Sequence, residues 1–127
     1  MKRVFKTRHF SRWMRKTGLS DQVLCAAILE MESGLIDADL GGGIVKKRVA
    51  LPGRGKSGST RTLVATNKGT RWFFVFGFEK SDRANVGSRE LVALQAIAAD
   101  LLKLAPGELE TEVSNEVLQE ICNDQKG

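Results

Sequence analysis

Trp72-Phe73-Phe74-Val75-Phe76-Gly77-Phe78 is the most apolar stretch of the chain, and its reading decides the fold. Aromatic and β-branched side chains at this density favour extended backbone, and the apolar surface they carry demands cover on at least one face. The segment therefore reads as a central strand. Upstream, Asn67-Lys68-Gly69 is a good hairpin turn, which makes Thr60 to Thr66 its antiparallel neighbour. Before that comes Ile44 to Leu51, a third β-rich run, broken by Pro52 and the glycines after it. Ile36 to Gly43 reads as a connector ending in three glycines. Downstream, the central strand leaves into Glu79-Lys80-Ser81-Asp82-Arg83, a polar exit of the kind that carries functional groups.

Helices flank this strand set. Val4 to Phe10 alternates as a short opening strand, and Ser11 is placed to cap a brief helix over Arg12 to Lys16, ended by Gly18. Ser20 caps a longer helix whose Val23, Leu24, Ala27, Ile28 and Met31 fall on one face, with Gly34 at its end and Glu30 and Glu32 turned to water. After the strands, Ser88 caps a helix with Leu91, Leu94, Ile97, Ala98, Leu101 and Leu102 along one side. Pro106-Gly107 punctuates, and Ser114 caps a last short helix bearing Val117, Leu118 and Ile121. The expected fold class is α+β. A small, mostly antiparallel sheet is packed by an N-terminal helical hairpin and a C-terminal helix. Residues 1–105 form the domain, and 106–127 an acidic C-terminal extension.

The totals narrow the function classes. The 127 residues suit one domain with one core. No apolar run approaches the roughly 20 residues of a membrane span, and Lys6, Arg8, Arg12 and Arg15 interrupt the N-terminal segment where a signal peptide needs an unbroken core. Cys25 and Cys122 stand far apart with no second ligand pair, which reads as a reduced cytoplasmic protein with two packing cysteines. His9 is the only histidine, a strand-end surface residue, so no histidine cluster offers a metal site and no cofactor is called for.

Charge is the informative feature. Residues 41 to 72 hold eight bases (Lys46, Lys47, Arg48, Arg54, Lys56, Arg61, Lys68 and Arg71) and no acid, although the chain carries only +5 overall. They surround Gly53-Arg54-Gly55-Lys56-Ser57-Gly58, and a concentrated positive field beside backbone donors suits a phosphate-bearing ligand. Gly55-Lys56-Ser57 is not a P-loop. The glycine required five positions earlier is Ala50, and Thr60-Arg61-Thr62-Leu63-Val64 is a strand where a helix must begin. The first twenty residues add seven bases and no acid, whereas from Glu108 onward six acids face one base, Lys126.

Arginine and lysine can bind phosphates, and they can also stabilise the charge that builds on phosphorus during in-line attack. A lysine crowded by other cations loses protons more readily and can act as acid or base. RNA brings its own nucleophile in the 2′-hydroxyl, and its cleavage leaves a 2′,3′-cyclic phosphate and a free 5′-hydroxyl. The stretch from Gly42 to Val49, then Pro52 to Arg61, together with Phe76-Gly77-Phe78-Glu79-Lys80-Ser81-Asp82-Arg83-Ala84-Asn85, resembles the RelE/HigB toxin superfamily of bacterial toxin–antitoxin systems. The likeness spans roughly residues 1 to 104 in element order. It implies a microbial-ribonuclease-like fold, mRNA cleavage on the ribosome, and silencing by a cognate antitoxin. Arg54 and Lys56 match the family's basic positions after the second strand, and Arg61 the arginine that holds the scissile phosphate. Lys80 falls where members place a basic catalytic residue, with Arg83 a second candidate. Ribosome-dependent members also use a tyrosine near the end of the sheet, and this chain has none.

The catalytic candidates are therefore Arg54, Lys56, Arg61, Lys80 and Arg83, with Lys46, Lys47 and Arg48 as RNA-binding positions and Trp72 or Phe78 as stacking platforms. Each has a plain alternative. The strand lysines can be solvated positions, Arg61 can pair with Glu79 or Asp82, and the aromatic residues can be core. Two functions stay open: a metal-independent endoribonuclease, or a non-catalytic module that grips RNA or a partner. In both, the partners are an antitoxin, mRNA and the ribosome, with no membrane.

Overall fold

A computed structural model describes residues 2–51 and 59–123. The apolar stretch is a nine-residue strand, β5 (Arg71–Glu79), inside a six-stranded sheet. The other elements are β1 (Arg3–Thr7), α1 (Arg8–Met14), α2 (Asp21–Glu32), β2 (Ala38–Gly41), β3 (Ile44–Val49), β4 (Thr60–Thr66), α3 (Ser88–Lys103), α4 (Pro106–Ser114) and β6 (Leu118–Ile121). Strand order is β2-β3-β4-β5-β1-β6, and among the described strands only the β1–β5 pair is parallel. The α+β class holds, with a mixed sheet and, among the described residues, four helices.

The sheet separates two cores. One face meets α1 and α2 through Val4, Phe10, Leu24, Ile28, Val45, Val64, Trp72 and Phe74. The other meets α3 and α4 through Phe5, Ile44, Leu63, Ala65, Phe73, Leu94, Ala98 and Leu109. Alternation along β5 breaks once. Leu63 pairs with Phe76 and Val64 with Phe74, so Val75 is an extra residue, a β-bulge. Val75 and Phe76 both turn to the α3 face, and Phe78 follows them. Without the bulge, Phe76 and Phe78 would continue the Trp72–Phe74 row against α1. Gly77 takes that side instead, and Trp13 lies so close that a Cβ there would overlap its ring.

Several expectations are corrected. The opening strand ends at Thr7, whose hydroxyl accepts from Phe10 N and caps α1, so the first helix starts earlier than the expected Ser11 cap. Ser20 caps α2 as expected. The supposed connector 36–43 contains β2, and Gly41, Gly42 and Gly43 form its hairpin with positive φ of 83°, 63° and 86°. Only glycine accepts three such values in a row cheaply. Gly87 rather than Ser88 stands at the N-cap of α3. Pro106 starts α4, where its missing N–H costs nothing, and the tail beyond it ends in a strand rather than a helix. β6 pairs antiparallel with β1, placing Ile121 opposite Val4 and Leu118 opposite Thr7. Residues 106–121 thus share the sheet and both cores with the rest of the domain.

That strand also overturns the reading of the cysteines as free thiols. Once Ile121 lies beside Val4, Cys122 reaches α2, and it forms a disulfide with Cys25 across a separation of 97 residues.

Candidate nucleic-acid interface

On the α3 face, Ile44 of β3, Ala65 of β4 and Phe73 of β5 form a row under the helix, at the start of β3 and β5 and the end of the antiparallel β4. Farther along the same face these strands carry Arg48, Arg61 and Phe78. The register sets Arg48 opposite Arg61 and Arg61 opposite Phe78, so the three are direct cross-strand neighbours. Two like charges facing each other on a sheet repel, and such a pair is stabilised when an anion lies between them. Among the described residues no carboxylate forms an ion pair with either guanidinium. Arg61 is half-buried and donates from Nη1 to Ser59 Oγ at 3.0 Å, which steadies it, while Arg48 is exposed.

Arg83 completes the wall. Its guanidinium lies over the Phe76 and Phe78 rings, 5.4 and 5.5 Å from their centroids. Two hydrogen bonds, 2.6 and 3.0 Å, tie it to Glu90 near the start of α3. Glu90 in turn accepts from Gly87 N at 2.8 Å. The Glu90 carboxyl is held below its ordinary pKa, first by Arg83's donors and then by the Gly87 N–H, and Arg83 is raised by the same contact. This fork is therefore a fixed planar cation on an aromatic base. Lys80 stands exposed in the turn directly after β5.

The structure thus brings together Arg48, Arg61, Phe78 and Arg83, with Lys46 on the same face one pleat nearer α3 and Lys80 at the rim. Two candidates fall elsewhere. Lys47 points to the opposite face, buried, where its Nζ donates to Leu35 O and pairs with Glu30. Trp72 is fully buried at the start of β5, its Nε1 bonded to Gly69 O. The first is a structural tie and the second is core, so neither is a surface for RNA. Phe78 is on the right face, but Arg83 covers it and it is buried. Arg54 and Lys56 lie outside the described residues.

The accessible rings are ones the sequence reading assigned elsewhere. Phe76 is half-buried, and the exposed His9 stacks on it with centroids 5.6 Å apart and planes 4° from parallel. Period-two alternation assigns Phe76 to the core. Only the glycine between two aromatic residues hinted at a bulge. His9 was read as a strand-end residue, yet it belongs to the first turn of α1, which brings it over the end of β5. Beside this pair, a cavity of about 530 Å³ opens between α3 and β6, walled by Leu94, Ile97, Leu101 and Val117.

No curated protein matches the chain. A family model described as the RelE toxin of the RelE / RelB toxin–antitoxin system matches residues 2–121, which takes in every strand and helix from β1 to β6. With nearly its whole length so matched, the chain belongs to the RelE toxin family and is a toxin of a toxin–antitoxin system.

Proposed function

We propose that this toxin is a metal-independent endoribonuclease that cuts mRNA on the ribosome, in the cytoplasm. The observation that supports the reading most is the Arg48–Arg61 pair, with no ion pair to a carboxylate among the described residues, beside the Arg83 fork on one sheet face. In this reading Arg61 holds the scissile phosphate, and Arg48 and Arg83 offset the charge that grows on its oxygens. The 2′-oxygen attacks phosphorus, the bond to the 5′-oxygen breaks, and the products are a 2′,3′-cyclic phosphate and a 5′-hydroxyl. One proton leaves the 2′-hydroxyl and one reaches the departing 5′-oxygen. Lys80, with Arg54 and Lys56, are the candidates for these transfers and for further phosphate contacts. Lys46 extends the phosphate surface along β3, and the His9–Phe76 stack offers a flat platform to a neighbouring base.

Members of this family pair with an antitoxin, and an acidic antitoxin segment over the Arg48–Arg61 face would neutralise it and block RNA. Primer extension on a defined mRNA, with and without ribosomes and with an Arg61→Ala control, tests the reading. Discrete cuts that need both ribosomes and Arg61 are expected. The absence of tyrosine favours a second reading, a module that binds RNA or a partner without cutting. RNA binding at full strength with no cleavage in any lane selects it.

A further inference from the structure

A second cationic surface lies outside the site. Arg8, Arg12 and Arg15 stand at i, i+4 and i+7 from the start of α1, so they fall on one stripe, rising about 10 Å along the helix. They line a cavity of about 740 Å³ between α1 and β6, together with Ser11, Gln119 and Asn123. The other charged groups there are largely spent. Lys6 is buried and bonded to Asp21 at 2.7 Å, and Glu120 takes two hydrogen bonds from Arg3, 2.9 and 2.8 Å. Glu116 is exposed and offers Arg8 its backbone carbonyl at 3.3 and 3.2 Å, with Asn115 O adding a bond at 3.4 Å. That fixes Arg8 in place without neutralising it. Arg12 and Arg15 are exposed and have no ion pair among the described residues. Among the described residues, three guanidinium groups thus face one uncommitted carboxylate, that of Glu116.

The stripe is continuous with the site. Arg8 also lines the cavity beside His9 and Phe76, and Phe76 lies under Arg83. From Arg83 the surface runs over the Phe76–His9 stack to Arg8, then along Arg12 and Arg15.

We propose that the Arg8–Arg12–Arg15 stripe is a second phosphate-binding track, which carries the sugar–phosphate backbone of single-stranded RNA past the Arg48–Arg61–Arg83 site. The inference rests on the ribonuclease reading only for its ligand, RNA. An acidic protein segment is the competing occupant, and the groove suits it less. Protein docking draws its energy from apolar anchors seated in pockets, and this groove's apolar lining is only Val113 and the buried Leu118. The exposed Ile97 and Val117 that could seat such anchors line the neighbouring apolar cavity instead.

The test uses the full chain and 2′-O-methyl oligonucleotides, which bind without being cut. One is about 5 nucleotides long and the other about 20, to fall below and above the span of a single site. The double variant Arg12→Glu/Arg15→Glu is expected to bind the long oligonucleotide at least about tenfold more weakly. Its salt slope should fall by about 1.4, the value for two lost contacts to single-stranded phosphate. Binding of the short oligonucleotide and the melting temperature stay unchanged, and Arg12→Lys/Arg15→Lys restores most of the slope. Unchanged long-oligonucleotide affinity and slope overturn the track. So does a variant that loses antitoxin binding while keeping RNA affinity, which would assign the groove to a protein. Because cleavage is not the readout, a protein that never cuts RNA still confirms the track if the long-oligonucleotide effect appears.

Discussion

Along β3, β4 and β5, the face under α3 starts with Ile44, Ala65 and Phe73, all buried, and ends with Arg48, Arg61 and the Arg83-capped Phe78. β3 and β4 alternate without a break from one end to the other, and the bulge at Val75 keeps Phe78 of β5 on the same face, so the side of the sheet does not separate the two ends. The helix does. Where Leu94 and Ala98 press on the sheet, the strand residues beneath are apolar and their burial stabilises the fold. Farther along the same strands, the chain places cations that repel one another across the sheet. Such an arrangement costs stability, and the proposed phosphate contact is the compensation that would offset it.

The contrast is broken or upheld by one substitution at each end. Phe73→Ala removes a buried ring stacked on Phe5 at 5.0 Å and is expected to cost about 3–5 kcal/mol, read from chemical denaturation. Arg61→Ala should shift stability by less than about 0.5 kcal/mol, or raise it slightly by relieving the repulsion with Arg48. Its RNA cleavage should fall about a hundred- to a thousandfold. If Arg61→Ala destabilises as strongly as Phe73→Ala, Arg61 is structural and the two ends do not differ in kind.

The disulfide belongs to the structural half. It joins α2 to the end of β6 across 97 residues, and closing so long a loop restricts the unfolded chain far more than the folded one. Opening it by thiol reduction, or by Cys25→Ser, is expected to lower stability by about 2–4 kcal/mol. Phosphate affinity of the folded protein should stay as it was. In the cytoplasm proposed for this toxin thiols are kept reduced, so the reduced form is the one in which the proposed cleavage is to be assayed. Loss of RNA binding on reduction under native conditions would show that β6 also shapes the site.

Gly77→Ala probes the seam between the halves. The added methyl meets the Trp13 ring, which has the α1 core behind it in Phe10. Overpacking of this kind costs about 1–3 kcal/mol. Trp13 must shift, carrying the start of α1 and His9 with it, so tryptophan fluorescence and RNA affinity should change together. A change in fluorescence alone would detach the His9–Phe76 stack from binding.

How much of this was legible beforehand follows from what each signal depends on. β4 ran over Thr60–Thr66 as read, and α2 and α3 followed their apolar spacing, because those patterns are local. β2 and β6 were missed for one physical reason. Each is a four-residue edge strand whose extended form depends on the neighbour that pairs with it, β3 or β1. Missing β6 hid the disulfide as well. Arg48, Arg61 and Arg83 stand out in the sequence by charge density and family likeness, and the structure places them on one face of the sheet. Lys47 and Trp72 were misplaced because the face and depth of a strand residue depend on which helix covers it. Phe76 escaped because one inserted residue, Val75, reverses the faces of everything after it.

The smallest expected effect concerns the fork that holds Arg83 over its rings. Glu90's pKa is lowered in the folded protein, so its contribution is fully present above the unfolded carboxyl pKa and is lost as pH falls through the lower folded value. Arg83 is raised from an already high value and stays charged throughout that range. Because the pair is exposed, its effect on global stability should be slight, so the informative signal is local. The Arg83 side-chain N–H resonances, followed by NMR, should hold steady from neutral pH into the ordinary carboxylate range and move only below it. Glu90→Gln should abolish that transition and weaken RNA binding modestly by freeing the guanidinium. A transition at the ordinary glutamate value would mean that Arg83 is not held by Glu90 in solution. The cation over Phe76 and Phe78 would then be positioned only when RNA arrives.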